Sequence, residues 1–233
     1  DVMAEFGKEC GLGKATGVEL PSERSGIMPS TAWKQKAKNE QWLPGETISA
    51  AIGQGYVTVT PLQMASLVGT VANNGVSYRP RLVQAVMDRT TGNLMEIPAV
   101  PRGKLSVKPE TFRLIKDALA DVVTKGTATR AKSSVVTIAG KTGTAQVAAL
   151  RTGPEESIPK KFRDHAWFVA FAPIDSPKIA VAVIGEHMGH GGAAAAPLAK
   201  EVIETYMKLA PQVPTVTSDR PTMEGPGRFS NDS

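Results

Sequence analysis

Four segments of the chain place apolar residues at the spacing of an amphipathic helix. They are residues 1–13, 60–73, 108–126 and 192–209, and the last begins with a run of alanines that favours close packing on a sheet. Thr60 is a capping residue followed by proline, which predicts the start of the second helix. The positions predicted to face the core in the second and third helices are Leu62, Ala65, Leu67, Val68, Val71, Phe112, Ile115, Leu119 and either Val122 or Val123.

Strand-like runs of β-branched and aromatic residues lie between these helical segments. They cover residues 134–147, 166–173 and 178–186, and a hairpin is predicted around the turn Thr91-Gly92-Asn93. Residues 14–44 are rich in turn-forming and charged residues and predict a surface loop with one or two helical turns. The Pro-, Ser-, Thr- and Gly-rich residues 211–233 predict a disordered tail, which leaves residues 1–210 as the folded part.

Composition narrows the function classes. The 233 residues are 41% hydrophobic, which suits one domain or a domain and a half. Because Cys10 is the single cysteine, an intrachain disulfide is excluded. The net charge is +5, and residues 102–163 alone carry +8, from 13 basic and 5 acidic residues. These basic residues are spread over predicted helix and loop and do not form a compact basic run, so the charge does not favour nucleic-acid binding. The best candidate for a membrane-spanning segment, residues 179–185, has only the length of a strand. The chain begins without Met and reads as a piece of a longer protein.

The candidate chemistry is concentrated in Lys141, Thr142, Gly143 and Thr144, which stand between β-prone flanks. On an exposed strand, Lys141 supplies a positive charge, Thr142 a hydroxyl, and Gly143 room for a ligand along the backbone. The Thr144 N–H is a candidate oxyanion donor. These residues predict binding of an extended, anionic, peptide-like ligand by strand pairing. The alternative is an ordinary edge strand, where lysine discourages aggregation.

The surrounding sequence supports the interpretation that these four residues bind a ligand. Lys-Thr-Gly is one of the signatures of penicillin-binding proteins and serine β-lactamases, and here it extends to "GKTGTAQV". Together with "IGQGYVTVTPLQMASLVGTVANNG", "KGTATRA" and "FRDHAWFVAFAP", it resembles the transpeptidase domain of penicillin-binding proteins, most closely the elongation-specific class B group. The resemblance runs in order from residue 1 to about residue 209.

The resemblance implies an α/β fold of the α+β type, with a mainly antiparallel sheet flanked by helices. It implies a serine D,D-transpeptidase, anchored in the bacterial inner membrane and facing the periplasm, that cross-links stem peptides ending in D-Ala-D-Ala during elongation and cell-shape maintenance. It also implies that β-lactams bind the protein, which connects it with antibiotic resistance. The implied partner is an elongation glycosyltransferase, and no cofactor is implied. Carried over by motif, Lys141 and Thr144 are the catalytic candidates, and Lys141, Thr142, Gly143 and Thr144 are the substrate-binding candidates.

The sequence departs from the family pattern in one respect. The family's nucleophile motif, Ser-x-x-Lys, precedes Lys-Thr-Gly, and here it is expected upstream of Asp1, so this chain alone is expected to be inactive. The one Ser-x-x-Lys string, Ser157 to Lys160, follows Lys-Thr-Gly and contains Pro159, which does not suit the rigid helix start that a nucleophile needs. The alternatives are a division-specific transpeptidase, a β-lactam sensor, or a binding module without catalysis.

Three other features are assigned structural roles. Glu186, His187 and His190 crowd the end of a strand, but they lack further ligands for a metal, so a solvated loop is favoured and no metal site is predicted. His165 is interpreted as a structural hydrogen-bonding residue. Trp33 and Trp42 flank a basic stretch and are interpreted as anchors of a loop on the core.

Overall fold

A computed structural model of the chain describes residues 1–147 and 158–209. Its described part holds six α-helices: α1 (Val2–Glu9), α2 (Thr31–Lys38), α3 (Pro44–Ala51), α4 (Pro61–Ala72), α5 (Pro109–Thr124) and α6 (Gly191–Leu209). None of the helices in these ranges has the length and hydropathy to span a bilayer. The predicted tail, residues 211–233, lies outside the described residues.

Seven strands form three antiparallel sheets in the same ranges. They are β1 (Val76–Tyr78), β2 (Ala85–Met87), β3 (Leu94–Glu96), β4 (Pro101–Lys104), β5 (Ala139–Ala145), β6 (His165–Ala172) and β7 (Ile179–Gly185). β1 pairs with β4, and β2 pairs with β3 as the predicted hairpin. The largest sheet has the order β5-β6-β7. The predicted α/β class with mainly antiparallel sheets is confirmed.

Helices cover both faces of the β5-β6-β7 sheet, and the alternation of β6 explains why. Successive strand residues point to opposite faces, so Phe168 and Ala170 pack in the cluster with α6, whereas Phe171 packs with Val68 and Ala72 of α4. Both faces of β6 are therefore apolar. This central strand provides the rigid support on which its neighbour β5 lies.

The alanine-rich start of α6 brings the helix close to the sheet, as predicted. Ala195, Ala196, Ala199 and Ile203 are completely inaccessible to solvent. At the first residue of the helix, a Cβ on Gly191 would overlap the carbonyl oxygen of Trp167 on β6 and lie 2.6 Å from that of Gly143 on β5. Small side chains thus set the distance between α6 and the strand that carries the candidate site.

Helix α4 forms as predicted, but its buried face differs from the predicted one. The Thr60 hydroxyl accepts a hydrogen bond from the Gln63 N–H at 3.2 Å, and the Gln63 side chain accepts one from the Thr60 N–H at 2.9 Å. Val68 is buried as predicted, whereas the other predicted core positions are half-buried and Gln63 and Thr70 are buried. Gln63 is buried because its amide donates to the carbonyls of Lys14 and Ser25, which ties down the N-terminal loop.

Two further predictions need correction. The strand predicted over residues 134–147 begins only at Ala139, because the Ser133 hydroxyl accepts from the N–H groups of Val135 and Val136 in a local turn. In α5, Phe112 and Val123 are buried as predicted, but Ile115 is exposed. Strands β6 and β7 and helix α6 agree with the predicted runs to within one or two residues.

The N-terminal helix α1 forms where predicted, but it points its larger apolar residues outward. Val2 is 80% exposed and Phe6 is 47% exposed, while Ala4 and Gly7 face inward. Gly7 lies so close to Met28 that a Cβ there would contact its side chain at 2.8 Å. Small residues on the inner face therefore allow α1 to pack against the loop that follows it.

Close packing of α6 gives a stability prediction. Replacing Ala199 with leucine adds three carbons where no space exists, and we expect the free energy of unfolding to fall by about 1–3 kcal/mol. Chemical denaturation of the complete protein measures this change. Ala193→Leu is the matched control, because Ala193 lies on the same helix and is exposed. Equal effects of the two substitutions would show that α6 does not pack as described.

Candidate functional site

The four candidate residues lie next to one another on β5. Lys141 is paired with Val169 and Thr144 with Ala166, in a register that runs without interruption from Ala139 to Ala145. Because β6 pairs with β7 on its other side, β5 is an outer strand of the described sheet. Its edge that faces away from β6 is called the outer edge below. The motif therefore lies on an outer strand of the described sheet, as both interpretations of the sequence expect.

The backbone of Thr144 faces the outer edge. Its carbonyl oxygen accepts a hydrogen bond from the Gln54 side chain at 2.8 Å, rather than from β6. The N–H and C=O groups of one strand residue point in the same direction, so the Thr144 N–H also faces the outer edge. Within residues 1–147 and 158–209, this N–H has no hydrogen-bond acceptor. It is therefore available to a ligand.

Two residues earlier on the same edge, a cation and two hydroxyls come together. The Lys141 Nζ donates to the Thr142 carbonyl oxygen at 2.8 Å and lies 3.5 Å from the Thr142 hydroxyl. That hydroxyl is 2.9 Å from the hydroxyl of Thr127, which lies just after α5. One positive charge and two hydroxyl donors suit a carboxylate. We refer to Lys141, Thr142 and Thr127 as the carboxylate cluster.

Gly143 has a packing role in addition to the one predicted from sequence. A Cβ at this position would lie 3.2 Å from the Cβ of Trp167, the residue opposite on β6. The α6 residue Gly191 approaches the Gly143 carbonyl from the other face of the sheet. Glycine at position 143 therefore keeps β5 close to its neighbours, and room for a ligand remains a prediction.

Gln54 was not found by reasoning from the sequence. It lies between Gly53 and Gly55, whose φ angles of +74° and +69° form a tight turn. Its carboxamide donates to the Thr144 carbonyl and accepts from the Gln146 N–H at 3.4 Å, as a neighbouring strand would. The available signal was the stretch Gly53-Gln54-Gly55 itself, which belongs to the motif "IGQGYVTVT".

A buried lysine supports the segment that leads to Gln54. Lys34 on α2 is 1% exposed, and its Nζ lies 2.6 Å from Glu46 Oε1, 3.3 Å from Glu40 Oε2 and 2.9 Å from the Gln41 carbonyl. The hydrogen bond with Glu46 raises the pKa of Lys34, while hydrogen bonds from the Leu43 N–H and from Lys34 lower the pKa of Glu46. This ion pair joins α2 to α3.

The two tryptophans make further contacts in this region. The Trp33 ring packs against Tyr56 with centroids 5.2 Å apart, and the Trp42 indole N–H donates to the Thr47 hydroxyl at 2.9 Å. Tyr56 follows Gln54 by two residues, so its contact with Trp33 joins the Gln54 turn to α2. The Trp33–Tyr56 contact agrees with a role in holding a loop, but neither tryptophan belongs to the buried clusters described above, so anchoring of the loop on the core stays a prediction.

The histidines form a structural pair at the end of β6. His165 Nδ1 accepts from the His187 N–H at 2.9 Å, and the two rings are 4.6 Å apart. The carbonyl oxygen of Asp164 accepts from the Gly189 N–H at 2.9 Å. The hydrogen bond predicted for His165 is confirmed, and it fixes the loop that leads into α6. Across residues 1–147 and 158–209, no three His, Cys, Asp or Glu side chains converge as a metal site.

Comparison with known proteins decides the family. The model of the penicillin binding protein transpeptidase domain matches residues 1–204. The chain belongs to the penicillin-binding protein transpeptidase family. It is 38% identical over 212 residues to the peptidoglycan D,D-transpeptidase MrdA of Acinetobacter baumannii, and 35% identical over 218 residues to MrdA of Escherichia coli K12. Each alignment covers 89% of this chain.

Solved structures support the same family and fold. The structure of Pseudomonas aeruginosa PBP2 in complex with WCK 5153 has a TM-score of 0.71 at 33% identity, over 87% of this chain and 43% of that one. The complex of Helicobacter pylori PBP2 with MreC has a TM-score of 0.73 at 30% identity, over 88% of this chain and 35% of that one. The resemblance to the elongation-type group, stated from sequence motifs, is confirmed by these PBP2 and MrdA relatives.

The chain spans about a third of the length of its curated relatives, 31% for the A. baumannii protein and 33% for the E. coli protein. In this sequence no Ser-x-x-Lys string precedes Lys141. In the string that follows it, Ser157 lies outside the described residues, and Lys160 opens the short 3-10 turn Lys160–Phe162 after Pro159. The α-helix that a nucleophile motif needs is therefore not formed at Lys160.

The buried ion pair gives a prediction with a defined pH range. Lys34→Ala leaves Glu46 without its cation. The lowered pKa of Glu46 means that its contribution to stability is present above its unfolded pKa of about 4.3 and is lost as the pH falls through the lower folded value. The raised pKa of Lys34 means that its contribution is present below about pH 10.4 and is lost as the pH rises through the higher folded value.

We therefore expect Lys34→Ala to unfold at a clearly lower temperature than the wild type between about pH 5 and pH 10, with a smaller difference at about pH 3. Thermal unfolding of the complete protein across this range makes the measurement. Lys36→Ala is the control, because Lys36 is exposed on the same helix. Unfolding of Lys34→Ala at the wild-type temperature at pH 7 would contradict the role of the pair.

Proposed function

We propose that this chain supplies the substrate-binding strand of a peptidoglycan D,D-transpeptidase that acts on stem peptides ending in D-Ala-D-Ala during cell-wall elongation. One observation carries the proposal. On the outer edge of β5, the carboxylate cluster lies two residues before the Thr144 N–H, which has no acceptor in the described part of the chain, and this is the order that a peptide terminus and its preceding carbonyl require. The names of the MrdA relatives support the same reaction.

The proposed donor lies along the outer edge of β5. Its terminal carboxylate binds the carboxylate cluster, where Lys141 provides charge and Thr142 a hydroxyl. The carbonyl of the penultimate D-Ala then places its oxygen at the Thr144 N–H. This N–H stabilises the negative charge that develops on that oxygen, an effect that contributes about 3–4 kcal/mol in other oxyanion holes.

The reaction proceeds through a serine ester. The serine Oγ bonds to the penultimate carbonyl carbon and gives up its proton, the peptide C–N bond breaks, and the terminal D-Ala leaves with a protonated amine. The amine of a neighbouring stem peptide then displaces the serine and forms the cross-link. We place this serine, in a Ser-x-x-Lys motif, in residues that precede Asp1. The steps require no metal or cofactor.

The same strand is proposed to bind β-lactams, which acylate the same serine through their ring amide. We further propose that the complete protein faces the periplasm, carries its membrane anchor outside this sequence, and works with an elongation glycosyltransferase. The H. pylori PBP2 relative forms a complex with MreC, which supports an elongation assembly as the setting. We also propose that substitutions at this site can contribute to β-lactam resistance.

Substitutions in the carboxylate cluster test the proposed function in the complete protein. Lys141→Ala removes the charge that attracts the carboxylate, and we expect acylation by a fluorescent penicillin to slow by about 100-fold. Thr142→Val removes a charge-assisted hydrogen bond, and we expect a loss of roughly 10- to 100-fold. That loss should be much smaller for an analogue whose carboxylate is amidated.

Lys104→Ala is the control, because Lys104 is an exposed lysine on β4, in a different sheet. Circular dichroism confirms that each variant is folded. Acylation of Lys141→Ala at the wild-type rate would contradict the proposed function and would indicate that Lys-Thr-Gly is part of an ordinary edge strand. Specific reversible binding of the penicillin without any covalent adduct would instead support a binding module without catalysis.

A further inference from the structure

The carboxamide of Gln54 binds the outer edge of β5 directly beside the Thr144 N–H. We propose that Gln54 is a positioning residue, which aligns this N–H for the developing oxyanion by binding the backbone groups on both sides of Ala145, the Thr144 carbonyl and the Gln146 N–H. The inference rests on the proposed function of β5 and adds a residue to it that lies 90 positions away in sequence.

The contact geometry favours alignment of the strand over a general packing role. The Gln54 Nε2 donates to the Thr144 carbonyl at 2.8 Å, and its Oε1 accepts from the Gln146 N–H at 3.4 Å. These two groups are the next ones on the outer edge after the Thr144 N–H. One side chain thus replaces a neighbouring strand residue at the point where β5 ends, at Ala145.

Gln54 is itself held by a rigid turn. Gly53 and Gly55 adopt left-handed backbone conformations that other residues rarely take, and the Gln54 N–H donates to the Ser49 carbonyl at 2.9 Å. Two residues later, Tyr56 packs against Trp33 and lies near Lys34, with its ring centroid 6.0 Å from the Lys34 Nζ. The position of the carboxamide is therefore fixed from α2 and α3.

The chemical consequence follows from how an oxyanion donor works. An N–H stabilises the developing charge only when it already points at the oxygen's position in the transition state, and displacements of about 1 Å can cost 10²-fold in rate. Among the described residues, Gln54 is the partner on the outer side at the end of β5, so its removal leaves the direction of the Thr144 N–H less restricted. Ligand binding at the carboxylate cluster, two residues earlier, does not depend on Gln54.

This separation gives a test in the complete protein. Gln54→Met keeps the length of the side chain and removes both hydrogen bonds. We expect the rate constant of acylation by a β-lactam at saturation to fall about tenfold or more, while the dissociation constant of the complex before acylation changes less than about twofold. A boronic acid, whose tetrahedral adduct places an oxygen at the Thr144 N–H, should lose affinity to a similar degree.

Gln35→Met is the matched control, because within residues 1–147 and 158–209 the Gln35 side-chain amide bonds only to Asn39, at the exposed end of α2. Gln54→Ala repeats the test without the bulk of methionine, and thermal unfolding shows whether either variant is destabilised. The positioning role would be contradicted if Gln54→Met were acylated as fast as the wild type or faster. It would also be contradicted if the affinity before acylation and the rate constant of acylation fell by the same factor. A wild-type protein that no β-lactam acylates would contradict the proposed function itself.

Discussion

The pairing of β5 with β6 is the interaction on which the candidate site depends. Seven consecutive residue pairs, from Ala139 with Phe171 to Ala145 with His165, fix the strand without interruption. Because antiparallel pairing uses every second residue on each side, this register determines which backbone groups face the outer edge. The backbone N–H and C=O groups of Thr142 and Thr144 face the outer edge, whereas those of Lys141 and Gly143 point towards β6. A shift by one residue would reverse that assignment and remove the Thr144 N–H from the site.

Three surrounding elements keep β5 in this position. Helix α6 packs against the sheet through glycine and alanine, so its first residue reaches the carbonyl oxygens of Gly143 and Trp167. Thr127, after α5, brings its hydroxyl to Thr142. Gln54 holds the end of the strand, and the buried Lys34 supports the segment that carries Gln54. The site is thus a strand edge whose geometry is set by contacts from distant parts of the chain.

The sequence predicted the parts of the structure that depend on local periodicity and capping. The α4 helix, the hairpin around Gly92 and the strand with Lys141 formed because their signals are carried by neighbouring residues. The burial of Lys34 was not predicted, since lysine is seldom buried and its partner Glu46 is twelve residues away. The Gln54 contact was missed for the same reason, because no local pattern shows that two segments 90 residues apart will meet. Thr127 was also missed: it lies in "KGTATRA", one of the stretches that carry the family resemblance, but only the fold shows that its hydroxyl joins Thr142.

The central claim is that the outer edge of β5 binds a peptide carboxylate at Thr142 and an oxyanion at Thr144. A crystal structure of the complete protein acylated by a β-lactam tests it most directly. The account predicts that the acyl carbonyl oxygen lies about 2.7–3.1 Å from the Thr144 nitrogen and that the ligand's carboxylate is hydrogen-bonded to the Thr142 hydroxyl. An acyl group that leaves the Thr144 N–H unpaired, or a carboxylate bound away from Thr142, would contradict it.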